Sequence, residues 1–143
     1  MFKMVFEGKL DVFLTAPTQD TNAGTLVKLG TSGNVVACNA GDKPYGVLAQ
    51  DVRDRRVNNF KLDSITHLAF YGEKVGVYFD GGIYMTDNTV GPAIGVGSYL
   101  YVGANGQFTA TAPTSGNFTG PVAISEQAGT AGTKIRIRFL SEI

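Results

Sequence analysis

His67 is the only histidine and Cys38 the only cysteine in 143 residues. One imidazole cannot make a paired-histidine metal site, and one thiol cannot close an intrachain disulfide. Cys38 follows the apolar run Val35-Val36-Ala37 and has no basic or imidazole neighbour in sequence. A reactive thiol needs such a neighbour, so Cys38 reads as a packing residue. His67 precedes Leu68 and Phe70 and reads as a hydrogen-bonded structural histidine at a strand end. Asp51, Asp54, Asp63, Asp80 and Asp87 are scattered, without the spacing of a calcium loop. Gly91 to Gly97 is glycine-rich, but no Lys-Ser/Thr follows to hold a phosphate. Asn117-Phe118-Thr119 fits the glycosylation pattern without a secretory signal to give it meaning. No run places a nucleophile beside a base and an orienting group. The expectation is a protein that is not an enzyme, with no catalytic residue, metal or cofactor.

The densest charge lies in Asp51-Val52-Arg53-Asp54-Arg55-Arg56-Val57-Asn58-Asn59. Arg53, Arg55 and Arg56 suggest phosphate binding, but Asp51 and Asp54 offset them and only Phe60 is near as a stacking ring. This reads as a polar loop or one or two helical turns, either a solvated connection or a protein-interface loop. Lys+Arg and Asp+Glu are 12 each, a formal net charge of zero. That balance argues against a nucleic-acid partner. No window approaches the length of a membrane span. Met1 to Glu7 has no signal-peptide core, so the expected place of synthesis is a cytoplasm.

The rest of the chain describes what positions these residues. Phe2, Met4 and Phe6 alternate with Lys3, Val5 and Glu7, and Leu10, Val12 and Leu14 resume the alternation after Gly8. Residues 1–23 therefore read as a strand-like arm and loop. Either it is the first strand of the domain or it is an arm that another chain completes by strand addition. Short apolar runs punctuated by glycine turns fill residues 24–143, read as one β domain of about ten short strands, a barrel or sandwich. Asp80-Gly81-Gly82 reads as a hairpin turn between Lys74–Phe79 and Ile83–Thr86. The last strand is plainest: Ile135, Ile137 and Phe139 face one way, Lys134, Arg136 and Arg138 the other.

Gly24-Thr25-Leu26-Val27-Lys28-Leu29-Gly30-Thr31-Ser32-Gly33 resembles Gly97-Ser98-Tyr99-Leu100-Tyr101-Val102-Gly103-Ala104-Asn105-Gly106, at a constant offset of 73 residues. Gly46-Val47-Leu48-Ala49 parallels Gly120-Pro121-Val122-Ala123 at an offset of 74. The spacing predicts two similar hairpin-plus-strand units, 24–50 and 97–127. One such unit cannot bury its apolar face alone, and two can close on each other.

These motifs, with Pro44-Tyr45-Gly46-Val47-Leu48-Ala49 and the closing Ile135-Arg136-Ile137-Arg138, resemble the head decoration (cement) proteins of tailed bacteriophages. The resemblance covers most of residues 24–140. It implies an all-β fold, a small antiparallel β-barrel or β-tulip, often a homotrimer. It implies a virion protein on the outer capsid surface that binds the major capsid protein and stabilises the head against internal pressure. In that family a terminal arm often pairs with capsid strands, which assigns capsid binding to Phe2, Met4, Phe6, Leu10 and Val12. The alternative is a virion fibre base or a receptor- or glycan-binding module, with Tyr78, Tyr84, Tyr99 and Tyr101 as candidate sugar contacts.

Overall fold

The structure is a computed structural model that describes residues 2–6, 9–54 and 68–140, with only the backbone of residues 3–6. It is all-β. Thirteen strands are described: β1 (Phe2–Phe6), β2 (Lys9–Thr15), β3 (Leu26–Leu29), β4 (Val35–Ala37), β5 (Gly46–Leu48), β6 (Asp51–Arg53), β7 (Leu68–Phe70), β8 (Lys74–Asp80), β9 (Ile83–Thr86), β10 (Tyr99–Val102), β11 (Phe108–Thr109), β12 (Ala123–Ser125) and β13 (Ile135–Phe139).

The two large sheets share one plan. The first has the order β2-β8-β5-β3-β4, and the second runs β9-β13-β12-β10-β11 with β1 added beside β9. Within the hairpins Lys28 pairs with Val36 and Leu29 with Val35, while Tyr101 pairs with Thr109 and Val102 with Phe108. Every one of these pairs keeps the 73-residue offset. So do the turns, where Gly30 N donates to Asn34 O and Gly103 N to Gln107 O. The third strand departs from the expected offset of 74. Leu26 faces Val47, and Tyr99 faces Ile124, so the structural offset there is 77. The glycine match at 46 and 120 had set the two strands slightly out of register.

The duplication reaches further than the units 24–50 and 97–127. Strand β2 corresponds to β9 and β8 to β13: Asp11 pairs with Val77 in one unit and Tyr84 with Ile137 in the other. Each shared five-strand plan curls until its two ends approach, at the parallel bridges Thr15–Asn34 and Thr89–Phe108. A small parallel pair, β6 with β7, lies beside the first unit.

Two expectations are corrected. Strands β8 and β9 do not form a hairpin, because β8 pairs with β2 and β5 and β9 with β1 and β13. Gly81 and Gly82, with φ of 69° and 100°, carry the chain from one sheet to the other. Residues 51–53 are strand, not polar loop or helix, because Val52 is fully buried and pairs through its backbone with Thr21. Of the two readings left open for residues 1–23, β1 matches the strand of its own domain, running antiparallel to β9 with Phe2 opposite Thr86.

Two cores follow from the strand alternation. Inside the first unit lie Val27, Val35, Leu48, Val75 and Val77. The second cluster joins the units: Leu100, Phe108, Ile135 and Ile137 of the second meet Leu26, Val47 and Cys38 of the first. Neighbouring residues of β3 and β5 thus serve opposite faces, Val27 and Leu48 one core, Leu26 and Val47 the other. That is why these short strands read as unbroken apolar runs.

Candidate binding surfaces

The N-terminal strands hold the first group of candidate residues. Phe2 packs on the joining core, its ring 5.0 Å from that of Tyr84 and 6.3 Å from that of Tyr78. The ring lies over Gly24, where an added Cβ would come within 3.0 Å of it. Met4 and Phe6 stand opposite Tyr84 and Ile83 in register. Their side chains lie outside the described residues. Both β1 and β2 are outer strands of their sheets. On β2, Leu10 is 40% exposed, Val12 46% and Phe13 79%. Phe13 is an exposed aromatic in the irregular stretch of β2 between Asp11 and Leu14, where Phe13 N donates to Asp11 Oδ1 at 2.9 Å.

The arginine group is split. Arg53 is held by its own fold: Nη1 donates to the carbonyls of Thr21 and Val52, and Nη2 to Asn22 Oδ1 at 2.6 Å. Arg55, Arg56 and His67 lie outside the described residues. Cys38 is fully buried. Burial pushes its thiol up to about 12, so it is a packing group at neutral pH.

The tyrosines separate by location. Tyr78 and Tyr84 are committed to the core contact, with ring centroids 5.3 Å apart. Tyr99 is 53% exposed. It belongs to a row across the second sheet, Tyr99–Ile124–Arg138. Arg138 and Arg136 share Glu126, at 2.9 and 2.8 Å, and hold its carboxyl below the usual range.

At one end of the first unit Leu29 is 58% exposed and Phe79 37%, beside Tyr45, whose ring lies 5.8 Å from that of Phe79. Tyr45 OH donates to Asp11 Oδ2 at 2.7 Å. The Phe13 N–H and the Tyr45 hydroxyl lower the Asp11 pKa, and the bond to Asp11 raises that of Tyr45. An open polar cleft of about 670 Å³ lies where the units meet, lined by Asn22, Thr25, Lys28, Asn39, Asn88 and Asn105 among others. None of its described lining residues is aromatic. Asn88 Nδ2 spans its base, donating to Gly24 O and Gly106 O.

Among the described residues no group of His, Cys, Asp or Glu is placed to hold a metal. No described helix is long and apolar enough to cross a membrane. What these surfaces offer is exposed apolar side chains and open sheet edges, the chemistry of protein contacts.

No known family model matches the chain, and no curated protein matches its sequence. Among solved structures it is similar to the head fiber gp8.5 N base in bacteriophage phi29, with a TM-score of 0.55 and 16% identity. The match covers 94% of this chain and 98% of that one. At that identity the likeness is one of fold.

Proposed function

We propose that this chain is a structural protein of a phage virion, seated on the outer surface of the head, and that it acts by binding and not by catalysis. The observation that carries the reading is the likeness of nearly the whole chain to a head fiber base. The exposed apolar residues of β2, the open edges of β1 and β2, and the neutral charge support it. In this reading the chain binds the major capsid protein as a homotrimer, with Leu10 and Val12 at the contact, and cements the shell against internal pressure. It is made in the host cytoplasm and engages neither nucleic acid nor membrane.

A second reading has a specific observation behind it: the similar solved structure is itself a fibre base, so this chain would anchor a projecting fibre. The glycan-binding variant has less support, because Tyr78 and Tyr84 are core residues and the polar cleft lacks a stacking ring. One experiment separates the two main readings. Phage heads are prepared with and without the protein, imaged by electron microscopy and heated. Cement predicts heads that lose a surface layer and release DNA at a lower temperature. A fibre base predicts heads of unchanged heat resistance that lack projections. Absence of the protein from purified virions would refute both.

A further inference from the structure

The contact between the two units is head to tail. The first unit contributes the face formed by the row Leu26–Val47–Tyr78, neighbours across β3, β5 and β8. The second contributes an end formed by Tyr84, Val102, Val122 and Phe139, all at most 1% exposed. These residues form one core, with Tyr78 and Tyr84 in ring contact.

A head-to-tail contact between similar units leaves one face and one end unused. The equivalent face on the second unit is the row Tyr99–Ile124–Arg138. Leu26 and Val47 are fully buried, whereas Tyr99 is 53% exposed, Ile124 half-buried and Arg138 exposed. The equivalent end on the first unit is Asp11, Leu29, Tyr45 and Phe79, which is open and keeps its apolar character. The strongest sign is electrostatic. Tyr78 corresponds to Arg138 and Tyr84 to Asp11, so the pair that meets within the chain becomes a cation and an anion at the unused surfaces. Asp11 meets no cation among the described residues, its bonds being to Tyr45 OH and Phe13 N. Arg136 and Arg138 share a single carboxylate, Glu126, and leave a positive surplus. Gly76 and Ala49, small residues beside the buried row, correspond to Arg136 and Glu126, which give the second face the polar rim of a contact between separate molecules.

We propose that copies of this chain associate head to tail, the Tyr99–Ile124–Arg138 face of one seating on the Asp11–Leu29–Tyr45–Phe79 end of the next, with Arg138 opposite Asp11. This gives surfaces to the self-association in the proposed function and does not depend on where the assembly sits.

The test uses the whole chain free in solution, so its failure leaves virion attachment standing. Sedimentation equilibrium is run from micromolar to near-millimolar protein. The expected result is a mass that rises with concentration above 15.1 kDa. Asp11→Arg and Arg138→Asp, each alone, set like charges opposite one another and weaken association at least tenfold. Mixing the two single variants restores it, because each then offers the surface the other lacks. Circular dichroism and melting curves establish that both variants fold; Tyr99→Lys serves as a milder second face variant, with association weakened severalfold. A chain that stays monomeric throughout, or oligomers indifferent to all three substitutions, or no recovery on mixing, overturns the proposal.

Discussion

Phe2→Ala tests whether β1 is part of the folded body. Phe2 is half-buried, stacks on Tyr84 at 5.0 Å and covers Gly24. Truncating a fully buried phenylalanine costs about 3–5 kcal/mol. The stacked ring alone accounts for about 0.5–1.5 kcal/mol of such a figure. Half-burial brings the expected loss to about 2 kcal/mol. For a chain of this length one kcal/mol moves Tm by about 3–4 °C, so Phe2→Ala is expected to melt about 6–8 °C lower. Calorimetry at pH 7 measures this directly. Phe13→Ala is the control. Phe13 is also an N-terminal aromatic, but it is 79% exposed, so its loss is expected to stay within about 0.5 kcal/mol, or ~2 °C. Removing residues 1–8 is expected to cost more than Phe2→Ala, because β9 then loses its ladder to β1 as well and keeps only that to β13. If Phe2→Ala and the truncation both melt within 2 °C of the parent, by the same ~2 °C margin, β1 is detachable and the reasoning is refuted.

Gly106→Ala is expected to lose about 3 kcal/mol or more in urea unfolding, because φ there is 71° and an added Cβ would meet Leu26 O at 2.4 Å; wild-type stability would mean that the two units do not touch there. Asp42 is held below the ordinary carboxylate range by Lys28 Nζ and Asn39 N, each at 2.7 Å. A depressed folded-state pKa contributes stability above the unfolded value of about 3.9, lost as pH falls through the folded one. Asp42→Asn should therefore lower Tm at pH 7 and lower it by less the further the pH falls below about 3.9, and a loss that does not change with pH would count against the ion pair. Cys38, buried with its thiol at about 12, should react with an aromatic disulfide reagent only as fast as the chain opens; a fast reaction in native buffer would contradict its burial.

Much of the fold was legible in β13, where alternation places Ile135, Ile137 and Phe139 in the core, and in the glycines of the paired hairpins. Gly24 and Gly97 both have positive φ and both stand two residues before the first strand of their hairpin unit, so the backbone demands the same residue twice. The wider duplication was hidden. Asp11 and Tyr84, or Tyr78 and Arg138, occupy equivalent places in opposite surroundings, one member of each pair packed at the contact between units and the other half-buried or exposed. Selection for different surroundings erases sequence likeness. The path at Gly81-Gly82 was also hidden, because a two-glycine turn looks alike whether the chain folds back or crosses between sheets. The exposed row and the open end were not legible in the sequence, since only the comparison of equivalent positions sets them apart from other exposed residues.

The strand pairings also set an order of events during synthesis. Strands β3, β4 and β5 lie close in sequence and pair with one another, so they can form as soon as they emerge. Strand β2 pairs with β8 and β1 with β9, neither of which exists until residues 74–86 have been made. At roughly 5–20 residues per second, the N-terminal strands wait on the order of 3–15 s beside the ribosome with apolar side chains exposed. Strands made before their partners are therefore among the last to lock. A ribosome pause between residues 50 and 80 would prolong the interval in which Phe2 and its neighbours are open to a chaperone, or to the same segment of a neighbouring nascent chain.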